Sequence, residues 1–418
     1  MDMQAPSQTA VPADPAIPMI GRVELITLLA MLMALNALAI DIMLPALPII
    51  GDALNVVDPN HRQFIITAYL LGFGAAQLAY GPVSDALGRK APLYFGLAIY
   101  VVSALVAAFA PSFALLLVAR FVQGIGAAGT RVIVVAAVRD IYGGRRMAEV
   151  ISLIMMVFMA VPVIAPLAGQ AIVAFADWHW IFVFIAALGL AAAVWTFLRL
   201  PETLPPERRR PLELGKLGQA FGFIFSDRVA LGYTIATSFI FGALFGFITS
   251  AQQVFVEVYG LGVWFPVVFA AFAGLMAVSS FMNARLVGRI GMRRLSHGSL
   301  LGFVGISVIW GALSLVMTIP FPLFMLLFAS AMFLFGWVGA NFNAMAMEPL
   351  GAIAGTGSSV LGFLQTVGGG LIGTLIGQAY DGTVGPLAIG FSTVGLVALV
   401  FVLVAEKGRL FKPAHETS

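Results

Sequence analysis

Long apolar runs broken only by short charged turns limit this chain more than any other feature. Twelve segments of about 20 or more mainly apolar residues can be placed, each long enough to cross a bilayer as a helix. Lipid offers the backbone no hydrogen-bond partner, so a run of this length must satisfy its own N–H and C=O groups as an α-helix. A β-barrel would need short alternating segments, and these runs are unbroken. The balance of 61% hydrophobic and 10% charged residues leaves little for a water-soluble domain.

The runs predict spans at about 23–45, 63–80, 92–110, 112–138, 148–175 and 178–198, then 229–256, 264–287, 295–317, 320–347, 353–379 and 385–405. The chain then divides into a tail (1–21), a six-helix bundle (22–200), a charged linker (201–228), a second six-helix bundle (229–406) and a second tail (407–418). Residues 1–20, rich in Pro, Ala, Ser and Gln, lack the basic start and apolar core of a signal peptide. On this span plan 19 of the 22 Lys and Arg fall on the side of Arg89, one (Arg62) on the other, and two (Arg120, Arg131) inside the fourth span. Basic residues in short loops are kept inside, so both termini are expected in the cytoplasm. That asymmetry accounts for the net charge of +3 without nucleic acid. There is no cysteine, and His61, His179, His297 and His415 are too widely spaced for a metal site. No metal or cofactor is expected.

Three features could carry chemistry. Asp41 is the one acid well inside a span, where a carboxylate is costly and faces a cavity or a partner. Either it couples to protons or it is a structural acid tied to a neighbouring helix. Asn36, on another face, reads as a packing or hydrogen-bonded residue. Arg120, at similar depth in the fourth span, is the expected partner of Asp41. Arg120, Gln123, Gly124, Ala127 and Arg131 share a stripe, with Arg131 about 16 Å along from Arg120. The stripe is expected to line a wet cavity, although Arg131 could equally snorkel to the interface. The turn after the second span, Gly81-Pro-Val-Ser-Asp85-Ala-Leu-Gly88-Arg89-Lys90, is read as a tight loop. Asp85, Arg89 and Asp140 are expected to form an inner-face charge cluster there that, with Gly81, Gly88 and Lys90, acts as a conformational latch closing the cytoplasmic side. A loop at 283–294 repeats its glycines and paired bases in the second half.

For the substrate, Ser238, Phe241, Phe245, Thr249 and Gln252 share one face of the seventh span and Trp337 and Asn341 one face of the tenth, with Gln365 on the eleventh. Aromatic and amide groups without fixed charge suit varied amphipathic ligands, and suit interhelical packing equally. Gly369, Gly373 and Gly377 read as a close-packing face.

The order of Gly81, Asp85, Gly88, Arg89 and Lys90 resembles the signature loop between helices 2 and 3 of the major facilitator superfamily. Arg120-Phe-Val-Gln123-Gly124-Ile-Gly-Ala resembles that superfamily's helix-4 motif, for which proton transfer or cavity lining is implied. Pro162, Pro166 and Gly169 look like its helix-5 antiporter motif, with Ala165 and Gln170 replacing two glycines. Asp41-Ile-Met-Leu-Pro-Ala-Leu-Pro48, Arg139-Asp-Ile-Tyr142 and Pro201-Glu-Thr-Leu-Pro-Pro-Glu-Arg-Arg209 resemble the bicyclomycin/chloramphenicol resistance branch of twelve-span drug:proton antiporters. The resemblance implies an all-α fold of two pseudo-symmetric six-helix bundles in the inner (plasma) membrane. It implies export of small organic drugs against protons, with the proton gradient in place of any cofactor, a lipid bilayer around it and a monomer as the working unit. The alternative is a proton-coupled symporter taking up a metabolite. A membrane enzyme would need an activated nucleophile or metal cluster, and the spans carry none.

Overall fold

The computed structural model describes residues 20–212 and 214–411, so the expected tails lie largely outside the described residues. The apolar runs are helices, and helix ends coincide with residues that can stop them. Ser112 and Asp227 cap two helices by accepting from the backbone N–H of Leu115 (3.3 Å) and Ala230 (2.7 Å). Gly88 and Gly291 turn the chain with φ of +91° and +89°, a conformation that favours glycine.

In chain order the α-helices are α1 (Arg22–Asp41), α2 (Leu47–Ala53), α3 (Phe64–Leu87), α4 (Lys90–Ala108), α5 (Phe113–Ile141), α6 (Gly144–Phe175) and α7 (His179–Arg199). They continue with α8 (Leu214–Ser226), α9 (Arg228–Gln252), α10 (Phe265–Ile290), α11 (Met292–Val316), α12 (Phe321–Met347), α13 (Ala354–Phe363), α14 (Gly369–Gln378) and α15 (Gly385–Ala405). No strand occurs among the described residues. Among the described residues twelve segments are long and apolar enough to cross a membrane. The number is even, so Ile20 and Phe411 share a face with Gly88. We term it the near face, and the opposite one, carrying Arg62, the far face.

Three expectations are corrected. The first span runs on to Ala53, with a break after Asp41. Pro45 has no N–H to give the Asp41 carbonyl and its ring crowds that carbonyl, so the α-helix stops four residues before the proline. The expected loop at Gly81 is helical. Pro82 is tolerated inside α3, and the turn falls at Gly88. The linker is not wholly irregular, because α8 forms within it and packs on α13 and α9.

Helices α1 and α3–α7 pack on one another, as do α9–α15. The two sets pack by different means. A Cβ on Gly72 would overlap the carbonyl oxygen of Phe121, and one on Gly124 that of Tyr69, so α3 and α5 touch backbone to backbone. The second set interlocks aromatic rings around Phe328, with Phe247 and Phe272 each 4.6 Å away between centroids. The sets meet where α3 runs along α13 and α14, and where α6 runs along α10.

Candidate functional site

Asp41 ends α1 at its break, 4% exposed, and is the one fully buried carboxylate among the described residues. Its carboxylate makes no hydrogen bond or ion pair with a described residue. The expected pair with Arg120 is absent. Arg120 is fully buried and donates from Nη2 to the Ala39 carbonyl (2.9 Å), from Nε to Ile65 (3.2 Å) and from Nη1 to Oε1 of Gln123 (2.6 Å). Its guanidinium also lies 4.5 Å from the centre of the Tyr69 ring. The reason is the break itself. The last carbonyls of a helix have no helical N–H, and Ala39 offers one to the guanidinium. Asn36 is hydrogen-bonded, accepting from the Tyr69 hydroxyl at 2.8 Å.

The Arg120 stripe does not line a wet cavity over its length. Gln123, Gly124 and Ala127 are buried against neighbouring helices, because Gly124 lets the α3 backbone come into contact. Only Arg131 is exposed, its guanidinium 5.9 Å from the centre of the Phe73 ring. Pro162 and Pro166 lie inside α6, and a Cβ on Gly169 would overlap the Ile42 carbonyl oxygen. Gly169 thus lets α6 close on the broken segment directly after Asp41.

On the near face Arg89 is 2% exposed. It donates to Asp85 (2.6 Å), to both oxygens of Asp140 (2.7 and 3.2 Å) and to Ser84 (2.8 Å). Burial opposes its charge, while Asp140 and Asp85 outweigh that and hold its pKa above the ordinary arginine value. Lys90 opens α4 beside it, with Nζ 5.6 Å from the centre of the Tyr94 ring. Gly81 faces helix α13, where its added Cβ would come 2.9 Å from the Ser359 hydroxyl.

Glu202 completes this cluster from the linker and was not singled out by the sequence. Its carboxylate accepts from the backbone N–H of Arg89 (2.8 Å) and Lys90 (3.2 Å), placing an acid at the N-terminus of α4. Its sequence signal is the Pro201-Glu-Thr run after the sixth span. The second half has its own cluster. Arg293, two residues past Gly291, donates to Glu406 (3.0 Å) and Glu348 (3.1 Å), and Tyr233 donates to Glu406 (2.7 Å).

The expected substrate residues are mostly interhelical contacts. The hydroxyls of Ser238 and Thr249 donate to carbonyls of their own helix, and Ser238 also reaches Leu364 (3.2 Å). Trp337 donates to the Ser279 carbonyl (2.9 Å), Asn341 to Asn283 (2.9 Å) and Gln365 to Asn343 (3.1 Å), and Gln252 is buried. The reason is the glycine face of the eleventh span. Cβ atoms on Gly369, Gly373 and Gly377 would meet Phe241 (3.0 Å), Phe245 (2.6 Å) and Thr249 (2.8 Å), so that face of α9 packs on the glycines. The rings of Phe241, Phe245 and Trp337 alone in this set keep partial exposure.

A far-face seam of neutral groups was also missed. Gln63 donates to Gln253 (2.5 Å) and to the Gly377 carbonyl (3.0 Å), Asn60 to the carbonyls of Gln378 (3.2 Å) and Tyr380 (2.8 Å), and Thr67 pairs with Thr374 (2.8 Å). Gln77 continues the seam to Thr366 (3.1 Å). Gln253 and Thr366 each sit in a one-turn π-helix, Gln253–Val258 and Leu364–Gly368, a local widening often found where a helix has a task beyond packing.

Comparison with known proteins gives one consistent answer. Residues 29–374 match the family model described as Major Facilitator Superfamily. An uncharacterized MFS-type transporter, YdgK, of Bacillus subtilis is 33% identical over 88% of this chain and 92% of its own. A bicyclomycin resistance protein homolog of Haemophilus influenzae is 31% identical over the same shares, 88% and 92%. The multidrug resistance protein MdtL of Salmonella heidelberg is 29% identical over 87% and 91%. Among solved structures, a D-xylose-proton symporter superposes with a TM-score of 0.71 at 13% identity, covering 93% of this chain and 98% of that one. These likenesses join the twelve helices and the paired near-face loops: the chain belongs to the major facilitator superfamily and is a multi-pass membrane transporter of small molecules.

Proposed function

We propose that the protein exports small amphipathic drugs across the inner membrane in exchange for protons, with Asp41 as the proton site. The near face is then cytoplasmic, in keeping with 19 of 22 basic residues on that side. The names of the Haemophilus and Salmonella relatives support drugs as the substrate class. Two six-helix halves, 22–200 and 229–406, rock against each other so that the substrate path opens to each face in turn, joined by the linker 201–228.

The observation that carries the coupling is the buried, unpartnered Asp41 carboxyl at the break in the first span. A buried carboxyl without a cation suits the protonated form. Once the proton leaves, the nearby guanidinium of Arg120 becomes a better partner than the Ala39 carbonyl it now holds at 2.9 Å. That exchange would move α1 against α5 and bias the bundle between its two openings. Coupling therefore makes the pair rather than releases a preformed one.

Reconstituted protein tests this reading. Wild type should release protons when chloramphenicol or a cationic dye is added, and should move drug up its gradient under an imposed pH difference. Asp41→Asn should keep some drug binding and lose both responses. Exporting Asp41→Asn protein that still releases protons would make Asp41 a structural acid. Drug driven up its gradient in the same direction as protons moving down theirs would make the protein a symporter. Orientation has its own check, since the chain has no cysteine. In intact cells an impermeant thiol reagent should label Val57→Cys, a site 96% exposed on the far face, and spare Arg209→Cys.

A further inference from the structure

A small cavity opens on the near face where the first half, the linker and the second half meet. It holds about 130 Å³ and is lined by Arg139 of α5, Arg210 and Lys216 of the linker region, and Thr356, Ser358 and Ser359 of α13. Asp85 and Arg89 also border it, and they pair with each other at 2.6 Å. Arg89 is also held by Asp140 at 2.7 Å, which leaves Arg139 and Arg210 as the bases whose charge the proposal uses. Arg139 and Arg210 have exposed side chains with no ion pair to a described carboxylate. Arg139 reaches across the seam, its Nη1 3.9 Å from where a Cβ on Gly355 would lie, in the first turn of α13. The N-terminal, positive end of that ten-residue helix borders the same region through Gly355 and Thr356.

We propose that this cavity binds a phosphate group and that the bound anion holds the near face closed. The volume admits a phosphate with a few waters, each water taking about 30 Å³. Guanidinium groups bind phosphate oxygens in paired hydrogen bonds, and here cations approach from separate segments while hydroxyls approach from α13. No wall of the cavity suffices alone. When the near face opens, α13 leaves α5 and the cavity loses one side. A ligand that binds only the closed arrangement shifts the equilibrium toward it. The proposal does not depend on what the protein carries, or in which direction.

The phosphate could be a lipid headgroup or a free ion, and one experiment separates them. Spin labels on Val23→Cys and Ile290→Cys, both exposed near-face positions on opposite halves, report the near-face distance by pulsed electron resonance. The full-length protein is measured in phosphatidylcholine nanodiscs with inorganic phosphate, with chloride at equal ionic strength, and in nanodiscs containing phosphatidylglycerol. The ratio of near-closed to near-open protein should rise about fivefold, the lower end of ordinary couplings between sites. A rise with inorganic phosphate assigns a free anion, and a rise with phosphatidylglycerol alone assigns a lipid. Arg139→Gln with Arg210→Gln should abolish the rise at an unchanged melting temperature in chloride. Should that pair melt early, Thr356→Val with Ser358→Ala should reduce the rise instead. No change with either anion, or an equal rise in both variant pairs, overturns the proposal.

Discussion

The two ends of the molecule are held by opposite chemistry. At the far face the halves are joined to each other by neutral groups: Gln63 to Gln253, Asn60 to the Gln378 and Tyr380 carbonyls, Thr67 to Thr374. A single ion pair, Arg62 to Glu257 at 3.5 Å, accompanies them among the described residues. At the near face the strong charge clusters lie within each half. Arg89 binds Asp85 and Asp140 in the first, and Arg293 binds Glu348 and Glu406 in the second. A neutral hydrogen bond contributes about 0.5–1.5 kcal/mol net, and a few of them can be exchanged for water at modest cost. A buried ion pair cannot be broken so cheaply. The far seam is therefore built to part, and the near clusters are built to keep each half rigid while it moves. Perturbing the clusters should cost stability. Perturbing the seam should shift conformation and leave stability nearly intact.

The largest expected effect is that of Arg89→Ala. It leaves Asp140, with 11% of its side chain exposed, facing no cation, and frees Ser84 and Asp85 as well. Stranding one member of a buried pair costs about 3–5 kcal/mol. The purified variant should melt well below wild type, while labels across the far seam keep their distance distribution. An unchanged melting temperature would mean that the cluster does not brace the first half.

Gln63→Ala should do the reverse. It removes the bonds to Gln253 and to the Gly377 carbonyl, together worth about 1–3 kcal/mol. If the seam is what closes the far face, far-open protein should gain by roughly 5- to 150-fold, read between spin labels on the exposed Val57→Cys and Val263→Cys. Melting should stay near wild type. Thr67→Val should follow the same direction at about 1 kcal/mol, since across the seam it loses the 2.8 Å contact with Thr374, and within its own helix only a long 3.4 Å bond to the Gln63 carbonyl. The two positions lie one turn apart on the same seam, so their effects need not add. A lower melting temperature without a distance change in either variant would assign these residues to packing.

The sequence carried the spans plainly, because hydrocarbon leaves a long apolar run no choice but helix. It carried the near-face cluster because Asp85, Arg89 and Asp140 are charges at the ends of spans, where only a partner or water can hold them. Three things were less legible. Depth puts Asp41 level with Arg120, yet it does not fix the direction in which each side chain leaves its helix, and the orphaned Ala39 carbonyl took the guanidinium. The face of α9 with Phe241, Phe245 and Thr249 has the same spacing whether it lines a cavity or packs on a glycine face, and only the register with Gly369, Gly373 and Gly377 decides. The amides of the far seam are neutral residues at the ends of spans far apart in the chain. Nothing in their own neighbourhoods marks Gln63 and Gln253, 190 residues apart, as partners.

The smallest effect on stability should come from Asp85→Asn, and it is the variant that separates bracing from switching. Asp85 contacts Arg89 at 2.6 Å, but its side chain is 39% exposed, whereas that of Asp140 is 11% exposed. Exposed pairs contribute about 0–1 kcal/mol, and Arg89 would keep Asp140 and Ser84. Melting should therefore fall by little. Transport is a different matter, because Asp85 stands where α3 meets the near-face cavity beside α13, and its backbone carbonyl accepts from the N–H of Arg210 at 3.0 Å. Losing its charge leaves the cavity with four bases and no acid, which should change how firmly the near face closes. On the proposed function, the expected outcome is reduced drug transport with nearly normal melting and drug binding. Export at the wild-type rate would make Asp85 a bracing residue only, and a large melting loss would mean that it, rather than Asp140, carries the buried pair.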